Sequence, residues 1–191
     1  MAGDWLADRR SEVAADRILD AAEDLFTRHD AATVAMSDVA TASGCSRATV
    51  YRYFENRDAL YTAYVHRETH RVFGRLGEHL DGVTDPRERL SLGVLAALRL
   101  VRDNPALASW FAPSQRPIGG EMAERSAVIQ GLTEAFLASL EVDDVEASAR
   151  WLVRVIVSLL TFPGLDDADE RMMVHQFVIP VVAPDVTDHA H

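Results

Sequence analysis

Ala15, Ile18, Leu19, Ala22, Leu25 and Phe26 recur at offsets 0, 3, 4, 7, 10 and 11, with Asp16, Arg17, Asp20, Glu23 and Asp24 set between them. This is one apolar stripe on a 3.6-residue repeat, and a helix that carries it has to bury it against other helices. The same period returns down the chain: Leu60, Tyr64, Phe73 and Leu76, then Ala149, Leu152, Val153, Ile156, Leu159 and Leu160. No segment reads as a convincing strand, so the expected fold is all-α with about nine helices.

Stop and start signals divide the pattern. The first helix is expected from a cap at Ser11 to about His29, and a short one from Ser37, as N-cap, to Ser43. Gly44 stands where a left-handed residue would close it, and Ser46 can cap a further short helix bearing Val50 and Phe54. A long helix follows from Asp58 to about Leu80, and Pro86 opens another that reaches Asp103. A short segment ends at Phe111, and residues 112–120 read as a loop. Helices are then expected over Glu121–Leu140, from Val145 to Phe162, and after the acidic residues 166–170, with Pro180 and Pro184 ending the structure.

The 191 residues suffice for a small unit at 1–57 joined to a larger one at 58–191, with ample core and no need of a disulfide or structural metal. A single cysteine, Cys45, cannot form an internal bridge, which fits a reducing cytoplasmic setting. The opening residues carry acids and lack the basic, then apolar, layout of a secretory signal. The longest apolar run, 151–162, is interrupted by Arg154 and Ser158, too short for a membrane span. No enzyme motif stands out. His66 and His70 lie at i and i+4, but the residues between them are not those of a zinc hydrolase, and there is no nucleophile elbow, phosphate loop or Cys pair. No catalytic residue, cofactor or metal is expected.

Charge singles out one stretch. Acids outnumber basic residues 30 to 19, every basic residue is Arg, and yet no carboxylate occurs between Asp38 and Glu55. That gap holds two short helices about a tight turn, the layout of a helix-turn-helix. Val39, Ala40, Val50 and Phe54 can make its apolar knot, with Cys45 a plug after the turn. Arg47, Thr49, Tyr51, Arg52 and Tyr53 then stand on the outer side of the second helix. Arg can fork onto guanine edges, Thr can meet a thymine methyl, and Tyr hydroxyls can reach phosphates. Residues 1–57 nonetheless carry seven Arg against ten acids, a net charge of −3, so a local basic face must supply the attraction to a polyanion. Arg9 and Arg10 read equally well as a groove-seeking arm or as a solvated tail.

Residues 33–60, TVAMSDVATASGCSRATVYRYFENRDAL, resemble the signature of the TetR-type repressors: a T-V, a D-[IV]-A, an A-G-[VC]-S-x-[AG]-T-[VLI]-Y-x-[YH]-F and a [KR]-x-x-L. The resemblance covers about thirty residues, and the size and helical remainder suit it. It implies an N-terminal arm and helix-turn-helix DNA-binding domain at 1–57, of three helices, and an effector-binding and dimerisation domain at 58–191. It implies that Ser46 to Tyr53 form the recognition helix, with Arg47, Ala48, Thr49 and Arg52 nearest base edges. Tyr51, Tyr53 and Arg57 would hold phosphates, with Thr33 and Ser37 adding backbone contacts. Ala48 replaces a frequent Gly and Ser43 a more usual Ala, which leaves the base preference unread.

The resemblance further implies a homodimer on a pseudo-palindromic double-stranded DNA operator, paired through the last two helices and released by a small-molecule effector. The 145–162 helix suits that role, because Trp151, Val155 and Val157 extend its apolar stripe nearly all round. The last helix, with Met172, Met173, Phe177, Val178 and Val181, would be its companion. Tyr64, Trp110, Phe111, Met122 and Trp151 are candidates for lining an effector cavity, or are ordinary core. Arg99 and Arg154 each interrupt an apolar run. If buried they need a partner, either a carboxylate or a ligand anion, and the expected effector is amphipathic or apolar.

Overall fold

The computed structural model describes residues 5–112 and 118–183, with side chains from Ser11 onward. Helix α1 spans Trp5–Arg28, a 3-10 turn Ala31–Thr33, α2 Met36–Ala42, α3 Arg47–Tyr53, α4 Arg57–His79, α5 Pro86–Arg102 and α6 Pro105–Ala108. After the gap come α7 Gly119–Arg125, α8 Ala127–Ala138, α9 Val145–Thr161, α10 Asp167–Met173 and α11 Ile179–Val182, with a π-helical turn at Val174–Val178 joining the last two. There is no strand among the described residues. Residues 113–117 of the expected loop, and Pro184, lie outside them.

Two cores hold the helices. The first is the α1 stripe: Ile18, Leu19, Ala22 and Phe26 are buried against Val39, Ala40, Val50 and Phe54 of the turn, Leu60, Tyr61 and Tyr64 of α4, and Trp110. Phe26 sits at its centre, edge-on to Tyr61, Tyr64 and Trp110 at centroid distances of 5.3, 5.0 and 5.2 Å. The Tyr61 hydroxyl donates to Val34 O at 3.0 Å and also to Ala31 O, tying the 3-10 turn to α4, and burial pushes its pKa up to about 12. The second core joins Leu90, Val94 and Leu98 of α5 to Leu137, Leu152, Leu159 and Leu160 and to Val174, Val178 and Val182.

Four boundaries differ from the sequence reading. Helix α1 starts at Trp5, well before Ser11, because nothing in 5–10 breaks a helix. Arg9 and Arg10 are therefore helical in backbone, while their side chains lie outside the described set. Ser37 does not cap α2: the helix begins at Met36, and Asp38 reaches back to accept from the Ala35 N–H at 2.9 Å. The expected 121–140 helix is two, since Ser126 is both the C-cap of one and the N-cap of the next, its Oγ accepting from Ile129 N at 3.2 Å. Pro180 does not end the last helix among the described residues, which passes through the π turn, where Ile179 N bonds Val174 O, and continues to Val182. A proline at the second residue of α11 leaves no donor wanting.

Candidate DNA-reading surface and apolar cavity

Gly44 makes the turn. At φ +68° it follows Ser43, its N–H bonds Thr41 O at 3.2 Å, and Cys45 N bonds Ala40 O at 3.1 Å. This double closure is a Schellman ending, which needs a left-handed residue at that place. Cys45 is half-buried against the first core, with its Sγ 3.1 Å from Ser43 Oγ. Ser46 then caps α3: its Oγ accepts from Thr49 N at 3.1 Å and lies 2.9 Å from Thr49 Oγ1. Val50 and Phe54 pin the helix to the core from beneath.

That anchoring leaves Arg47, Ala48, Tyr51 and Arg52 exposed together, with Ser46 at their edge and Thr49 and Tyr53 half-buried. The Arg52 guanidinium lies over the Tyr53 ring at 5.3 Å. Thr33 is exposed and Ser37 half-buried, so both border the same region by sequence but neither caps a helix. Arg57 is exposed yet tethered: its Nη1 donates to Ala32 O at 3.1 Å and its guanidinium lies 5.3 Å over the Tyr61 ring. Glu55 and Asp38 bound the patch, and between them it holds no negative side chain.

A second site lies among α4, α5, α7, α8 and α9. It is a cavity of about 150 Å³ walled by Val72, Phe73, Trp110, Phe111, Met122, Phe136 and Val153, among others. Of the residues proposed from sequence, Trp110, Phe111 and Met122 line it, and Tyr64, Arg99, Trp151 and Arg154 do not. Tyr64 is core, stacked on Trp110 at 5.6 Å, with burial and Glu68 raising its pKa. Trp151 faces outward. The two arginines are not buried either: Arg99 pairs with Asp167 at 3.1 Å and Arg154 with Glu124 at 2.7 Å, both on the surface. An Arg that interrupts an apolar run marks the turn's outward position, and exposed pairs of this kind hold little energy.

The sequence reading missed the polar part of this wall, Glu68, Thr69 and Thr133. Glu68 is only 3% exposed. Its Oε1 accepts from Arg71 Nη1 at 2.7 Å and Arg67 Nε at 3.2 Å. Arg67 in turn reaches α1, pairing with Asp20 at 2.7 Å and Glu23 at 2.9 Å, and Arg71 meets Glu23 at 3.3 Å. Burial, with Glu23 adding to it, raises the Glu68 pKa, and the two guanidiniums pull it back. No sequence signal announces this burial, although Arg67 at i−1 and Arg71 at i+3 could supply the partners a buried carboxylate needs.

A third surface is apolar and open. Trp151 on α9, Phe162 at its C-cap, Leu165 beyond it, and Met172, Phe177 and Val181 on the segment from α10 to α11 are all exposed. The extra residue of the π turn lets Phe177, five places after Met172, take the position that i+4 would hold on a regular helix. Among the described residues no group of three or more His, Cys, Asp or Glu is placed to hold a metal, and no helix is long and apolar enough to cross a membrane.

Comparison with known proteins bears directly on the first of these surfaces. The family model "Bacterial regulatory proteins, tetR family" matches residues 18–64, the segment from the α1 stripe to Tyr64. The HTH-type transcriptional regulator Rv1255c of Mycobacterium tuberculosis strain H37Rv is 58% identical over 188 residues, covering 96% of this chain and 93% of that one. In fold, the chain is similar to the TetR family repressor AlkX of Dietzia sp. strain DQ12-45-1b, with a TM-score of 0.65, 24% identity, and 86% and 92% of the two chains covered. The fatty acid degradation regulator FadR of Bacillus halodurans follows at TM-score 0.61 and 19% identity, over 93% and 97%. The segment matched by the family model, the relative's identity along nearly the whole chain and the capped α2–turn–α3 geometry agree: this protein belongs to the TetR family of DNA-binding transcriptional regulators.

Proposed function

We infer that this regulator is a homodimeric repressor that reads a pseudo-palindromic operator through α3 and is released when a small molecule fills the apolar cavity. The observation that carries the reading is the exposed, carboxylate-free group Arg47, Ala48, Tyr51 and Arg52 on a helix fixed from below by Val50 and Phe54. In this reading Arg47, Ala48, Thr49 and Arg52 meet base edges, while Tyr51, Tyr53, Thr33 and Ser37 meet phosphates and sugars. Arg57 serves the backbone from its tether on Ala32, which restricts it to one direction. The Ser46 hydroxyl is engaged as the cap, so its contribution is to hold Arg47 and Thr49 in place. The unit divides at 57/58 into a reading head and a sensing, pairing body, and it works in the cytoplasm where the operator is.

One recognition helix reads only a few base pairs, so two must act together about a helical turn apart, roughly 34 Å. The exposure of the large apolar side chains Trp151, Phe162, Met172, Phe177 and Val181 supports pairing through α9 and the helix that follows it, because a second copy would take them out of water. The cavity borders α4, the helix that begins immediately after α3, so a molecule within it bears on the spacing of the two heads. A coupling of about 1–3 kcal/mol would suffice for release. The homologous regulators are not enzymes, and no catalytic role is proposed.

The test is a nuclease footprint on DNA adjoining the protein's own gene, repeated across salt concentrations and with small apolar compounds. A two-fold symmetric protected site, lost steeply as salt rises and lost again on adding a ligand, is the expected result. No footprint at low salt, or a slope near zero of log affinity on log salt, would refute it.

A further inference from the structure

Among the described residues the cavity is apolar on nearly every side, and its one ionisable wall residue is Glu68. All of that carboxylate's hydrogen bonds among the described residues fall on Oε1. Among the described residues Oε2 accepts none, on a residue 3% exposed that lines the cavity. Trp110, also in the wall, has a buried Nε1–H with no acceptor among the described residues. A cavity near 150 Å³ holds an apolar molecule of about benzene size. A hydroxyl on such a molecule can donate to Oε2 and still accept a bond. A carboxylate on the same molecule would be taken out of water beside another carboxylate, which is unfavourable on both counts.

We propose that Glu68 is the polar recognition residue of this cavity, admitting a small uncharged apolar molecule that carries a hydroxyl and excluding its carboxylate counterpart. The proposal rests on the effector reading above and narrows it to a chemical class. It runs against what an arginine-rich chain suggests. Two arginines so close by could pair an acid, but Arg67 is committed to Glu68, Asp20 and Glu23, and Arg71 to Glu68 and Glu23. Neither guanidinium belongs to the cavity wall. Among the described residues the sign of the wall's charge is therefore set by Glu68. The same carboxylate also anchors the inner end of the α4–α1 clamp, so a molecule bonded to Oε2 touches a link to the DNA-reading unit.

The experiment compares benzyl alcohol, toluene and benzoate by titration calorimetry on the full-length protein at pH 7.5. Benzyl alcohol should bind at least about tenfold more tightly than benzoate, with toluene weaker than the alcohol. In Glu68→Gln, checked for native helicity by circular dichroism, the alcohol-to-benzoate ratio should fall to within about threefold. Ala97→Leu, which adds bulk to the wall, should abolish alcohol binding and so locate it. Benzoate binding as tightly as the alcohol to the wild type overturns the proposal whether or not the Gln variant folds. Undiminished discrimination in Glu68→Gln, unchanged binding in Ala97→Leu, or no binding of any probe at millimolar concentration does so too. Operator retention, measured on the same preparations by mobility shift, separates the two readings. Failure to hold DNA refutes the repressor reading alone, and failure of the alcohol-to-benzoate contrast refutes the assignment of Glu68 alone.

Discussion

The substitution Gly→Ala should change the stability of this protein in opposite directions at two places. Gly44 closes α2 at φ +68°, and a Cβ added there meets no atom within 4 Å, so only the backbone resists it. A left-handed conformation costs a residue with a Cβ about 1–2 kcal/mol. Gly74 lies exposed within α4, and a Cβ there also meets nothing within 4 Å. In a helix interior alanine is favoured over glycine by about 0.5–1 kcal/mol. A chain of this length moves about 2–4 °C in Tm per kcal/mol, so Gly44→Ala should lower Tm by about 2–8 °C and Gly74→Ala raise it by about 1–4 °C. Asn at 44 should fall between glycine and alanine, because it tolerates the left-handed region. The assay is thermal and urea unfolding followed by circular dichroism, at one fixed protein concentration so that self-association does not confound the comparison. Two results would refute the reasoning: Gly44→Ala as stable as the wild type, or Gly74→Ala less stable. The first would mean that the turn does not need its left-handed residue, and the second that α4 is held by something other than its own backbone preference.

Truncating Arg47 or Arg52 to Ala should each weaken operator binding by about 1–3 kcal/mol in a fluorescence anisotropy titration, with relaxed base preference at one position per half-site. Phe162→Asp or Phe177→Asp, both on the exposed apolar row, should shift sedimentation toward the monomer without loss of helicity. For Glu170, the Arg102 guanidinium at 2.7 Å, with Gly164 N adding a bond, holds the carboxyl below its ordinary value of 4.5. That stability is complete above the ordinary value and lost as pH falls through the depressed one, so Glu170→Gln should be less stable at pH 7 and show a flatter acid limb in a denaturation series. Glu68 carries the opposite sign, its raised pKa making the fold less favoured as pH rises through it.

The helix-turn-helix was legible because its determinants are local: a glycine where a left-handed residue is needed, a serine three places before the N–H it caps, and apolar residues four apart. The cavity was legible only in part. Trp110, Phe111 and Met122 look in sequence like Tyr64 and Trp151, and which of these large side chains faces a void depends on how helices cross, which periodicity does not encode. Arg99 and Arg154 misled for a related reason, since an apolar run on a nearly all-apolar helix hides the one position that points to water. The division at Ser126 had its signal, a serine ahead of Ala127, Val128 and Ile129, obscured by good helix formers on both sides. Glu68 had no counterpart signal. Nothing in one sequence separates a buried glutamate from an exposed one until its arginines are seen turned toward α1.

The π turn at Val174–Val178 gives the last helix a tolerance of length that α9 lacks. Removing Gln176, an exposed residue of that turn, would leave Met172 and Phe177 four apart on a regular helix and their common side intact. Removing Ser158 from α9 would instead swing Phe162 about 100° away from Trp151. The two halves of the apolar row are thus guarded unequally. One has already absorbed a residue without turning, and the other depends on keeping its count.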